Sequence, residues 1–121
     1  MHIESFRDFC LSLPFTSEKT PFDNVTLVFT VKDKMFALTN IDRFESVNLK
    51  CNPERAIELR ETYSAIIPGW HMHKKHWNTI VLDRSIDDNF LKELILHSYQ
   101  CVINSLPKKL QFSFDAYNLL G

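Results

Sequence analysis

Residues 25–40 read VTLVFTVKDKMFALTN, and this stretch decides the fold. Val25, Leu27, Phe29 and Val31 fall on one side, and Thr26, Val28 and Thr30 on the other. That period-two alternation is the signature of a β-strand with one face in a core. Lys32-Asp33-Lys34 is a short polar turn, and Met35 to Asn40 is extended again. The stretch therefore predicts a β-hairpin. A third strand is expected at Val47–Cys51, after the charged turn at Asp42–Ser46.

Working outward, residues 2–13 carry Ile3, Phe6, Phe9, Cys10 and Leu13 at helical spacing, and Pro14 ends the run. Residues 15–24, with Pro21 and Asn24, read as a loop. Asn52-Pro53 is a helix start, because Asn caps well and Pro at the first helical position gives up an N–H that has no partner there. This helix is expected to reach about Tyr63, burying Ala56, Ile57, the stem of Arg60 and Tyr63. Pro68 and Gly69 break the chain. Extended runs are expected at 66–72 and 77–82, joined by His73-Lys74-Lys75-His76. In the second run Trp77, Thr79 and Val81 face one way, and Asn78, Ile80 and Leu82 the other. A last helix is expected after a Ser85 cap, with an apolar stripe from Phe90 to Leu106 and a stop at Pro107. The expected fold is α+β: a two-layer αβββαββα domain whose antiparallel sheet is covered by helices on one face.

The chain has 121 residues, of which 45% are hydrophobic and 24% charged, which fits one globular domain without long disorder. Ten Phe residues point to an aromatic core. Fourteen basic and fifteen acidic side chains leave a net charge of −1. That excludes a basic field over the whole molecule, though not a local patch. Only Gly69 and Gly121 are glycines, so the two common glycine-rich nucleotide loops and the serine-hydrolase elbow are absent. Cys10, Cys51 and Cys101 are widely spaced, with no C-x-x-C pair. Free thiols in a reducing compartment, the cytoplasm, are expected. No apolar run has the length of a membrane span, and Met1–Pro14 carries Glu4, Arg7 and Asp8, unlike a secretory signal.

Four segments carry a family resemblance. They are the helix lead-in Asn48-Leu49-Lys50-Cys51-Asn52-Pro53-Glu54, the run Pro68-Gly69-Trp70-His71-Met72-His73-Lys74-Lys75-His76-Trp77-Asn78-Thr79, His97-Ser98-Tyr99, and Leu106-Pro107-Lys108-Lys109-Leu110. With Thr26–Phe29 and Lys34–Leu38 they resemble the MmcQ/YjbR family over residues 3–110. The resemblance implies a fold similar to secretion-chaperone-like domains. It also implies a double-wing arrangement and DNA binding, a function inferred for the family from shape. His73 stands where the family pattern carries Asn. Residues 111–121 extend past the family's usual end and carry Phe112, Phe114, Tyr117, Leu119 and Leu120. The domain is thus expected over 1–110, with a C-terminal extension at 111–121.

The candidate nucleic-acid contacts are Lys32, Lys34, Lys50, Lys74, Lys75, His76, Trp77 and Asn78. Lysines neutralise phosphates, an exposed indole stacks on a base, and an Asn amide bonds a phosphate or base edge. Solvated turns are also commonly charged, and Trp77 equally suits a core. Asn48 and Lys50 share a strand face opposite Val47, Leu49 and Cys51, and they are expected to join Asn78 on an open polar face. His71-x-His73 with His76 has the spacing of a metal pair but lacks a completing ligand, so no metal or other cofactor is expected. His97 and Cys101 are neighbours on one helix face without an orienting third group, and an inert pair is expected. No residue pattern calls for an enzyme. The alternative function is a protein- or peptide-binding adaptor that works through the apolar extension. A monomer or weak dimer is expected.

Overall fold

Alternation along residues 25–40 becomes two central strands of a six-stranded antiparallel sheet. The structure, a computed structural model, describes residues 1–115, with side chains to residue 111. In chain order the elements are α1 (Ile3–Ser12), β1 (Thr16–Lys19), β2 (Thr26–Val31), β3 (Lys34–Asn40), β4 (Ser46–Lys50), α2 (Pro53–Thr62), β5 (Ile66–Pro68), β6 (Trp77–Val81), α3 (Asp88–Ser105) and α4 (Lys108–Asp115). The strand order across the sheet is β1-β2-β3-β4-β6-β5. No helix among the described residues is long and apolar enough to cross a membrane.

The α+β architecture matches the expectation, with two added elements. One is β1, in a segment read as a loop. Its inward positions are Thr16 and Glu18, so no apolar period marks it. Glu18 is held from the helix side by both Nε and Nη2 of Arg7 on α1. The guanidinium holds the Glu18 carboxyl below its usual range, chiefly through these hydrogen bonds. An inward carboxylate on a short edge strand also discourages pairing with another chain, and the three-residue β5, ending at Pro68, guards the other edge. The second addition is α4, which runs through the boundary expected at residue 110. The extension's Phe112 and Phe114 lie in this helix, beyond the described side chains. Tyr117, Leu119 and Leu120 lie outside the described residues.

The main core lies between the sheet and α1, α2 and α3. Phe6 meets Phe29 edge-on at 5.5 Å, and Phe36 meets Tyr99 in the same way at 5.5 Å. The Tyr99 hydroxyl donates to the Pro14 carbonyl at 2.6 Å, so the most deeply placed phenol is satisfied. Asn52 caps α2 as expected, accepting from the Glu54 and Arg55 N–H groups. Inside α2 the buried residues are Ala56 and Leu59, while Ile57, expected inside, is exposed. The cap of α3 is Asp87 rather than Ser85, whose N–H and hydroxyl instead bond Asp83.

A β-bulge shapes the centre of the sheet. Phe29 pairs with Ala37 and Thr30 with Met35, so Phe36 is the extra residue. Phe36 and Ala37 both enter the helix-side core, while Met35 and Leu38 belong to a second cluster on the opposite face. Pairing of β3 with β4 stops at Ala37 and Leu49. There Ser98 of α3 takes over: its hydroxyl donates to the Phe36 carbonyl and accepts the Lys50 N–H at 2.8 Å. The neighbouring His97 accepts the Asn52 N–H on Nε2 at 3.2 Å, so the ring is neutral in this bond.

Two outcomes are expected. Ser98→Ala leaves a buried carbonyl and a buried N–H without partners, and a loss of about 1–3 kcal/mol in denaturant unfolding is expected. Burial, and secondarily Arg55, hold the His97 pKa below its ordinary value. The unfolded chain therefore takes up a proton near the ordinary value of about 6.5, where the folded ring still resists it. Stability should be full above that pH and fall as pH drops from there towards the folded-state pKa. In His97→Gln, melting curves between about pH 7 and pH 5 should show a shallower fall.

Candidate functional site

Strand direction sorts the charged residues between the two ends of the sheet. β2 and β3 meet at Lys32-Asp33, both with positive φ, the geometry of a two-residue hairpin turn. β4 runs antiparallel to β3 and ends at Lys50, opposite Trp77 at the start of β6. The Lys32–Lys34 turn, Lys50 and the β5–β6 connection at 69–76 therefore share one end. Asp42 and Glu45 in the β3–β4 turn, Asp23 before β2 and Asp83 after β6 lie at the other end. Lys19, Arg43 and Arg84 towards the acidic end, and Asp33 and Glu54 at the basic one, are exceptions. A net charge of −1 thus conceals a dipolar molecule with a concentrated basic end.

At the basic end Lys34, Lys74 and Lys75 are exposed, and Lys32 and Lys50 are half-buried. Lys32 Nζ sits 4.1 Å above the Phe15 ring, a cation–π contact that steadies the turn. Lys74 Nζ reaches the Gly69 carbonyl at 3.4 Å, and Arg60 Nη2 donates to the Lys74 carbonyl at 3.2 Å. The second tip is thereby tied to α2. His76 lies 5.2 Å from His73, ring to ring. Desolvation first, then the positive neighbours His73, Lys50 and Lys75, hold its pKa below the ordinary value.

Two residues expected in this interface are elsewhere. Asn78 pairs in register with Leu49, which faces the helices. It is 2% exposed, and its Nδ2 donates to the Ala56 carbonyl of α2 at 3.3 Å. Asn78 is therefore a tie between sheet and helix, and the expected open-face position is corrected. Trp77 does lie on the face away from the helices, but it is 7% exposed and packs on Val28 and Leu38 under Met35 and Met72. Neither side chain has a surface free to stack on a base. Asn48 and Lys50 lie on that same face, Asn48 beside Thr79 and Lys50 beside Trp77.

The helix-free face also holds a cavity of about 460 Å³ that the residue pattern did not disclose. Phe22 stands on one side and Trp70 on the other, each 65% exposed. Phe22 lies in the segment read as a loop, and Trp70 in a run expected to be extended over 66–72 whose strand ends at Pro68, so alternation carried no signal for the cavity. The histidines do not converge on a metal: among the described residues no group of three or more His, Cys, Asp or Glu is placed to hold one. Burial raises the pKa of all three thiols, Cys51 to about 11, so His97 beside Cys101 does not generate a thiolate.

Comparison with known proteins adds a family, two relatives and two solved structures. A family model described as YjbR matches residues 11–101. The chain is 32% identical over 110 residues to the uncharacterized protein YjbR of Escherichia coli K12, covering 90% of this chain and 93% of that one. It is 33% identical over 107 residues to the uncharacterized protein YbdF of Escherichia coli O157:H7, covering 88% of each. Among solved structures, the crystal structure of Deinococcus radiodurans protein DR2400, with a DUF419 domain, superposes with a TM-score of 0.84. That pair is 39% identical and covers 88% of this chain and 83% of the other. A Pseudomonas syringae protein superposes with a TM-score of 0.70 at 28% identity, covering 84% of this chain and 98% of that one.

Gly69 holds the 69–76 connection against the sheet. A Cβ there would lie 2.7 Å from Trp77 Cβ and 2.8 Å from the Trp77 carbonyl oxygen. Gly69→Ala should displace the connection, lowering the melting temperature and raising proteolytic cleavage between residues 69 and 76. Unchanged melting and cleavage would show that the close approach is not needed.

Proposed function

The chain belongs to the YjbR family, and from that premise we propose that it is a DNA-binding protein, not an enzyme, which grips phosphates with the basic end of its sheet. The observation that carries this reading is the shared location of the two basic turns. The Lys32–Lys34 tip leaves the sheet at β3, and the Lys74–Lys75 tip at β6, with β4 and its Lys50 between them. At the usual strand spacing the tips project about 10 Å apart across the sheet. Two basic projections flanking a basic floor suit an interface in which two stretches of backbone are held at once, the sense of a double wing.

Lys34, Lys50, Lys74, Lys75 and His76 carry the contacts in this reading. Lys32 has its ammonium over Phe15, so it adds charge to the turn at shorter reach. Trp77 and Asn78 act from beneath: Trp77 seats the second tip through Met72, and Asn78 fixes the start of β6 to α2. The acidic residues gathered at the far end would orient the molecule in the field of a duplex, basic end first. Phosphate contacts of this kind position a protein and carry no sequence information, so affinity with little sequence preference is expected.

The test is fluorescence anisotropy of a labelled duplex at several salt concentrations. Affinity should fall with salt, with a log–log slope of about −0.9 for each phosphate neutralised. Lys74→Ala with Lys75→Ala should weaken binding and flatten that slope by about two contacts. Identical affinity and slope for the double variant would overturn the reading.

A further inference from the structure

We propose that the cavity on the helix-free face is a binding site for a planar heteroaromatic ring bearing a carbonyl, of about nucleobase size. Its volume of about 460 Å³ falls among small-molecule sites, which run from about 300 to 1,000 Å³. The site does not depend on duplex binding, because its lining residues are not the lysines of the basic end.

One of its polar groups is pre-set by hydrogen bonds. The Trp70 backbone N–H donates to Thr79 Oγ1 at 2.8 Å. The Thr79 hydroxyl in turn donates to Asn48 Oδ1. Asn48 has therefore committed its carbonyl, and its amide N–H groups find no acceptor among the described residues. Asn48 lines the cavity, where its amide is open to solvent and a ligand acceptor can take the place of water. A carbonyl oxygen meets that need, and a hydrocarbon does not.

The apolar groups specify the shape. Leu38 and the two thioethers Met35 and Met72 provide a soft, polarizable lining suited to a flat ring. Trp70 is stacked on His71, the ring centroids 5.4 Å apart and the planes 15° from parallel, which fixes the indole at the rim. His71 has a φ of 59°, in the left-handed region. Phe22 is the second exposed aromatic side chain of the lining. Both aromatic side chains are 65% exposed in the free protein, and stacking on a ligand ring would bury them.

The experiment is an NMR titration of the isotope-labelled full chain with uridine, inosine and nicotinamide, and with cyclohexanol as a non-planar control. At least one planar probe should shift the Trp70 indole and Asn48 amide signals together, at millimolar concentration or below, and cyclohexanol should not. Trp70→Ala and Asn48→Leu should each weaken that binding by about tenfold, with the melting temperature reporting that the variants fold. A short oligouridine arm separates the two sources of such a ring. Oligouridine binding that beats uridine and depends on Lys74 and Lys75 assigns the site to a base within a strand. Equal binding with no dependence on these lysines assigns it to a free small molecule. Failure of every planar probe to shift both signals, binding insensitive to both variants, or equal binding of cyclohexanol would overturn the proposal. None of these results bears on the lysine dependence of duplex binding.

Discussion

The Ser98 hydroxyl, set between the Phe36 carbonyl and the Lys50 N–H, is the interaction on which the rest of the structure depends. The bulge at Phe36 ends the β3–β4 ladder early and would otherwise leave buried backbone groups without partners. One short side chain from α3 satisfies both, and in doing so fixes α3 across the centre of the sheet. The same bulge allows Phe36 and Ala37 to enter the main core together, while Met35 and Leu38 turn to the other face. The helix-free face thus acquires its apolar floor from the defect that α3 repairs. His97, one residue earlier, extends the stitch to the cap of α2.

Above that floor the β5–β6 connection does two things at once. Through Lys74 and Lys75 it supplies one of the two basic tips, and through Trp70 it supplies one wall of the cavity. Gly69 lets it lie close on Trp77, and Thr79 holds the Trp70 backbone. A small chain with a net charge of −1 can still offer a positive surface, because antiparallel strands carry alternate turns to opposite ends. Here the turns at one end are rich in lysine and those at the other in aspartate and glutamate.

Where the reading of the residues missed an element, the missing signal has a physical identity. β1 was invisible because its inward position is Glu18, and periodicity arguments count apolar residues rather than a carboxylate paired to Arg7. Ile57 was expected inside α2 because it is apolar, yet Ala56 and Leu59 face the sheet and Ile57 does not. The alternation of β6 put Trp77 and Asn78 on opposite faces, as they are, but it did not say which face the helices cover. Asn78, polar, lies under α2, and Trp77, apolar, lies on the face without helices, which reverses the assignment that polarity favours.

The α+β class, the hairpin at residues 25–40, the Asn52 cap, the aromatic core and the family to which the chain belongs were all legible along the chain. Each follows from local periodicity, local capping chemistry or a run of motif residues, all of which can be read along the chain. Only the assembled sheet brings both basic turns to one end, buries Trp77 and Asn78, and gathers Asn48, Phe22 and Trp70 around one cavity. Those facts depend on strand order, on the bulge and on which face the helices take. They are relations between residues far apart in sequence, and no local pattern encodes them.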